Sequence, residues 1–128
     1  MNSHKKHNLL FVEDYKSPFN TTTEHLEKFF DKVDKVTYHD EALHLFTTNS
    51  YDIVVYDISM SPEKVKLIKQ LQDIKSMQSI FVLLQESSED HAFGLSQLGV
   101  NVVLLTPEQL DEALENIALF NPETGAVS

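Results

Sequence analysis

Three carboxylates close two short apolar runs: Glu13 and Asp14 follow Leu9-Leu10-Phe11-Val12, and Asp57 follows Ile53-Val54-Val55-Tyr56. Runs of this length and apolar density are the pattern of strands covered on both faces. In an open parallel sheet, ligands gather at the carboxyl ends of strands where the strand order reverses. If these two strands are neighbours, the acids meet there, and gathered carboxylates repel one another unless a cation or a proton joins them. Oxygen ligands without histidine or cysteine suit a hard ion, and Mg²⁺ prefers one or two carboxylates, waters and a phosphate oxygen. Beside such an ion Asp57 has the chemistry of a carboxylate nucleophile toward a phosphoryl group, and the product is an acyl phosphate, a switch state and not a turnover reaction. An isolated acid at a strand end is ordinarily just solvated; the pairing of two such ends makes this a candidate site.

The elements that must position these acids alternate in type along the chain. Strands are expected at Asn8 to Val12, Lys35 to Tyr38, Ile53 to Asp57, Ile80 to Leu84 and Asn101 to Leu104, the second being the weakest and fit for an edge. Thr21 with Glu24 predicts a capping box ahead of a helix from His25 to Lys32, and Asp40 predicts a cap for Glu41 to Thr48. Ser61-Pro62 opens a long helix with Val65, Ile68, Leu71 and Ile74 on one face. Ser87 or Ser88 opens a fourth helix that stops at Gly99, and Thr106, Pro107 and Gln109 open a fifth that runs to about Phe120. Strands alternating with helices through five rounds predict an α/β fold: a flavodoxin-like, doubly wound, five-stranded parallel sheet in the order 2-1-3-4-5, with helices on both faces. In that order the first and third strands touch, which brings Glu13, Asp14 and Asp57 together.

Size and composition agree with one such domain. The chain has 128 residues, 41% hydrophobic and 23% charged, and no cysteine, enough to bury a core without disulfide staples. A formal charge of -10 argues against nucleic acid as a partner of this domain. No apolar stretch approaches the length needed to cross a bilayer or to serve as a signal peptide, so no membrane association and a cytoplasmic location are expected. The organisation expected is a polar N-terminus over 1–7, a domain over 8–120 and a C-terminal tail or start of a linker over 121–128. His4 and His7 in the polar lead are poorly placed for metal binding. His25, His39, His44 and His91 share no ligand spacing, and Leu26, Phe29 and Phe30 are expected in the core.

The chain resembles the receiver domain of two-component response regulators, the CheY-like family, from Asn8 to about Leu119. Leu9-Leu10-Phe11-Val12-Glu13-Asp14 is similar to the family's first strand and acidic pair, Asp40-Glu41-Ala42-Leu43 to its second helix, and Tyr51 through Met60 to its phosphoacceptor strand and loop. The resemblance implies that Asp57 is the phosphoacceptor, and that Glu13, Asp14, Asp57 and the backbone carbonyl of Ser59 hold Mg²⁺. It implies phosphorelay from a histidine kinase or a histidine phosphotransfer protein, an effector domain or partner protein, and a homodimer through the fourth and fifth helices.

The second half departs from the family pattern. Counting back from Gly99, the hydroxyl expected after the fourth strand falls on Leu84, the switch aromatic of the fifth strand on Val103, and the lysine before the proline on Thr106. The turn Ser61-Pro62-Glu63-Lys64 is shorter than the family's usual one. The resemblance implies a cis bond at Thr106-Pro107, while threonine before proline is also an ordinary helix cap. Gln85, Ser87 and Lys16 are candidates to replace the missing polar groups. An atypical receiver with its acidic pocket retained and its switch degraded is the expectation. The alternative is a phosphorylation-independent pseudo-receiver that acts as an interaction or dimerisation module. A flavin carrier is excluded by the acidic loop after the first strand, and a nicotinamide enzyme by the lack of any G-x-G-x-x-G. Asn121-Pro122-Glu123-Thr124-Gly125 faintly resembles the opening of a diguanylate cyclase catalytic domain, which would make the chain the regulatory front of a longer signalling protein; the same residues also make a plain turn.

Overall fold

Near-continuous apolar strands need cover on both faces, and the structure, a computed structural model, supplies it. It describes residues 7–13, 19, 21–57, 62–85, 97–121 and 126–127. Asp14, Lys16, Ser59 and the expected fourth helix up to residue 96 lie outside the described residues. Strands β1 (Asn8–Glu13), β2 (Lys32–Val36), β3 (Ile53–Asp57), β4 (Ser79–Gln85) and β5 (Asn101–Leu105) form one five-stranded sheet in the order β2-β1-β3-β4-β5. Every pairing is parallel, as the sequence predicts.

Because side chains alternate along a strand, the sheet divides the core in two. Leu10, Val12, Val54, Tyr56, Val82 and Leu84 pack with Ala42 and Phe46 of helix α2 (His39–Thr48) and with Leu67, Ile68 and Leu71 of helix α3 (Pro62–Ile74). On the other face Leu9, Phe11, Ile53, Val55, Phe81 and Leu83 pack with Leu26 of α1 (Thr23–Leu26) and with Leu110, Leu114 and Ile117 of the last described helix, α4 (Leu110–Ala118).

The element bounds depart from expectation in ways with local causes. Helix α1 has four residues, not the eight of His25 to Lys32, and its cap is Thr22, whose Oγ1 accepts the N–H of His25 at 3.1 Å. After Leu26 the chain turns so that Phe30 enters the core, and Asp31 N–H bonds the carbonyl of His7 at 2.8 Å, which starts β2 three residues earlier than read. Tyr38, expected in that strand, is exposed and precedes α2; Asp40 lies inside the first turn of α2 and not at its cap. In α3 the buried stripe is Leu67, Ile68 and Leu71, while Ile74 is 44% exposed. The Thr106-Pro107 bond is trans, since the described chain has no cis peptide. Thr106 there is extended, and its N–H is accepted by Gln109 Oε1 at 2.9 Å as the chain enters a 3-10 turn (Pro107–Gln109) leading into α4.

Helix α4 stops at Ala118 because Phe120 is used elsewhere: its ring meets Phe81 edge-on at 5.1 Å, and Phe120–Asn121 (β6) pairs antiparallel with Ala126–Val127 (β7). His7 Nε2 contacts the Phe120 carbonyl at 2.8 Å, tying this exit hairpin to the start of β1. Gly99, the expected helix stop, has φ 85° in the turn before β5, a conformation that glycine adopts without steric cost.

Tyr56 carries a consequence for alkaline stability. Its hydroxyl is buried with no hydrogen-bond partner among the described residues, and burial pushes its ionisation well above the ordinary phenol range. The unfolded chain gives up this proton near pH 10 while the native state keeps it. Stability is therefore complete below about pH 10 and falls above it by about 1.4 kcal/mol per pH unit for each such tyrosine. Tyr51 shifts the same way, through burial first and its hydrogen bond to Asp34 second. In urea unfolding at alkaline pH, Tyr56→Phe should remove about half of the combined slope, and it should add about 1 kcal/mol at neutral pH by removing an unpaired buried hydroxyl.

Candidate functional site

Glu13 ends β1 and Asp57 ends β3, and the two are register partners on adjacent parallel strands. Register partners in a parallel pair present their side chains to the same face, here the face of Phe11 and Val55. Both are out of water, Glu13 at 7% exposure and Asp57 at 1%. The same row continues to Leu83 on β4 and Val103 on β5. One end of the sheet thus carries a row that is acidic across β1 and β3 and apolar across β4 and β5.

Glu13 is held from two sides. Its Oε2 accepts the Thr21 N–H at 2.9 Å, and its Oε1 lies 2.9 Å from the Lys35 ammonium. Lys35 sits on β2 in register with Phe11, two residues before Glu13 on that face, so its four-carbon stem runs up the sheet to the acid. The Thr21 hydroxyl is also buried, without a hydrogen-bond partner among the described residues.

The sequence-derived residues fall as follows. Glu13 and Asp57 are brought together; Asp14 and Ser59 lie outside the described residues. Leu84 turns to the opposite face, into the cluster with α2 and α3, and Leu83 takes the place beside Asp57. Val103 packs with the Phe11 face and Thr106 opens the last turn, so Leu83 and Val103, the row neighbours of Asp57 on β4 and β5, bring neither hydroxyl nor ammonium. The histidines disperse: His25 pairs with Asp111, His39 with Gln70, and His7 with Phe120 and Asp52 at the far end. His91 is outside the described residues. Sequence reading missed Lys35 and Thr21; the signal for Lys35 was available only from the β1–β2 register.

Among the described residues no group of three or more acids, histidines or cysteines is placed to hold a metal ion. Glu13 as arranged does not fit the role of a Mg²⁺ ligand. An ion on its carboxylate would sit roughly 4 Å from the Lys35 ammonium, and like unit charges at that separation repel by about 4 kcal/mol near a protein surface, twice that for a divalent ion.

No protein-family model matches the sequence, and no curated protein does. Solved structures do match. A response regulator receiver domain protein, CheY-like, from Methanospirillum hungatei aligns over 87% of this chain and 92% of its own at 16% identity, with a TM-score of 0.64. A response regulator receiver domain protein from Clostridium thermocellum aligns over 87% and 94% at 22% identity, with a TM-score of 0.61. The fold is that of a CheY-like receiver domain. The receiver fold also extends to an adenylate cyclase from Rhodopirellula baltica, which aligns over 87% of this chain and 85% of that one at 19% identity, with a TM-score of 0.66. At these identities the likeness is one of fold. No described helix is long and apolar enough to cross a membrane.

Proposed function

We propose that the chain is a receiver module of two-component signalling in which Asp57 accepts a phosphoryl group from a histidine kinase or a histidine phosphotransfer protein. The observation that carries this reading is the buried Asp57 at the carboxyl end of β3, beside Glu13 at the end of β1, where the receiver fold reverses its strand order. An Asp57 carboxylate oxygen attacks the phosphorus of a phosphohistidine; the P–N bond breaks with its electron pair returning to the imidazole nitrogen, and an acyl phosphate remains on Asp57. It acts as a switch and not as a turnover enzyme. Of the Mg²⁺ set that the resemblance gives, Glu13, Asp14, Asp57 and Ser59, this reading leaves Glu13 out, because its carboxylate is engaged by Lys35 and the Thr21 amide.

On this flank Leu83 and Val103 bring no polar side chain toward the incoming phosphoryl oxygens, and Thr106 stands where the resemblance places a lysine. Losing one such donor costs about 3 kcal/mol, roughly a hundredfold in rate. Without a hydroxyl and an aromatic to move, phosphorylation also has little differential contact with which to shift the fold between two states. This apolar half-row favours a second reading, a module that docks without phosphate through its last helices, as a dimer or against an effector. A cytoplasmic setting goes with the first reading, since the phosphodonors are there. The adenylate cyclase neighbour and the cyclase-like tail over 121–125 support a place at the front of a longer signalling protein.

Acetyl phosphate with Mg²⁺ and intact mass measurement separate the readings. The first predicts slow addition of one phosphoryl group to the wild type and none to Asp57→Asn. No addition after long incubation, with an intact receiver reacting alongside, would leave the phosphate-independent reading in place.

A further inference from the structure

We infer that Lys35 is the resident cation of this site: its ammonium neutralises Glu13 and withdraws that carboxylate from any divalent-metal site. The inference rests on the reading of this sheet end as the phosphoacceptor site, and it names how that site manages its charge. Three observations converge on Glu13. It is 7% exposed, so its charge needs a partner within the protein. The ammonium stands 2.9 Å from one oxygen and the Thr21 amide 2.9 Å from the other. Both are donors, one on each oxygen, and the ammonium among them carries the positive charge that a metal ion would otherwise supply.

The Thr21 hydroxyl, buried and unpaired among the described residues, belongs to the same residue whose amide holds Glu13. Ammonium and amide are both spent on Glu13, which leaves Asp57 as the carboxylate of the row that Lys35 does not neutralise. Positive charge reaches the row from β2, on the side of Asp57 opposite to Thr106, where the resemblance places its lysine.

Mg²⁺ titration of the full chain, followed by carbonyl ¹³C NMR of the Glu13 and Asp57 carboxyl groups, tests this. In the wild type the Glu13 resonance should stay fixed while Mg²⁺ is raised. Lys35→Met should bind Mg²⁺ about tenfold tighter or more and bring the Glu13 resonance into the titration, while Lys35→Arg should behave as wild type. Wild-type movement of Glu13 with Mg²⁺ overturns the inference, and so does an unchanged Mg²⁺ affinity in Lys35→Met. If Lys35→Met does not fold, the wild-type Glu13 resonance still decides. The phosphoacceptor reading is scored separately by the Asp57 adduct: an adduct with unchanged Mg²⁺ affinity removes only the role of Lys35, and tighter Mg²⁺ binding with no adduct removes only the phosphoacceptor.

Discussion

Lys35→Met should lower the unfolding free energy by about 2 to 3 kcal/mol, and adding Glu13→Leu in the same chain should restore most of it. Exposed ion pairs contribute about 0 to 1 kcal/mol, whereas removing one partner of a buried pair costs about 3 to 5 because the other charge is stranded. The Glu13–Lys35 pair stands between these limits: the glutamate side chain is 9% exposed and the lysine 25%. With Lys35 gone, Glu13 keeps the Thr21 amide as its partner among the described residues, which places the cost near the lower edge of the buried range. The double variant removes the stranded charge as well as its partner, and an apolar replacement of a buried pair is often neutral or better. Urea unfolding of the wild type, both single variants and the double variant gives the coupling directly. A cost below about 0.5 kcal/mol for Lys35→Met would class the pair with surface pairs and remove the charge argument built on it.

The second large effect separates two residues one turn apart on the same helix. Leu71→Ala should cost about 3 kcal/mol, and Ile74→Ala less than about 1 kcal/mol, read as shifts of the urea midpoint at constant slope. Leu71 is wholly buried between α3 and the sheet, whereas Ile74 is 44% exposed at a groove between α2 and α3 lined by Asp40, Leu43, His44, Gln70 and Asp73. Val65, Ile68, Leu71 and Ile74 looked like one face because each is three residues from the next. At about 100° per residue, a strict three-residue spacing falls about 60° short of a whole turn at each step, so such a run drifts around the helix and Ile74 has left the buried side. Leu67, Ile68 and Leu71, spaced one and three apart, stay together, and they form the buried stripe.

The same contrast runs through the rest of the molecule. Strands β1, β3, β4 and β5 were legible because each is an apolar run with no competing period, and the order β2-β1-β3-β4-β5 followed from alternation with helices and right-handed crossovers. The segment from Thr21 to Tyr38 was not legible in detail. Phe29, Phe30 and Val33 suit a helix face or a strand equally well, and a helix as short as Thr23–Leu26 draws its stability from packing and not from its own sequence.

That error is also why Lys35 went unnoticed. In a strand from Lys35 to Tyr38 the lysine begins the strand, at the end of the sheet away from the acids. In the observed Lys32–Val36 it is next to last, level with Phe11 and within reach of Glu13. Juxtaposition of Glu13 with Asp57 needed only the strand order, and it was legible; the partners of Glu13 needed the register. Leu84 makes a related point. Counting back from Gly99 located a position without a hydroxyl but not the face it points to, and in the sheet Leu83 and not Leu84 lies beside Asp57.

The most direct test of the central claim is to find the residue that carries the phosphoryl group. After incubation with acetyl phosphate and Mg²⁺, borohydride reduces an aspartyl phosphate to homoserine, and peptide sequencing by mass spectrometry locates the change. The account predicts homoserine at position 57 and aspartate kept at positions 14 and 52. Homoserine at another acid, or at none while a reactive receiver in the same experiment is converted, would contradict it.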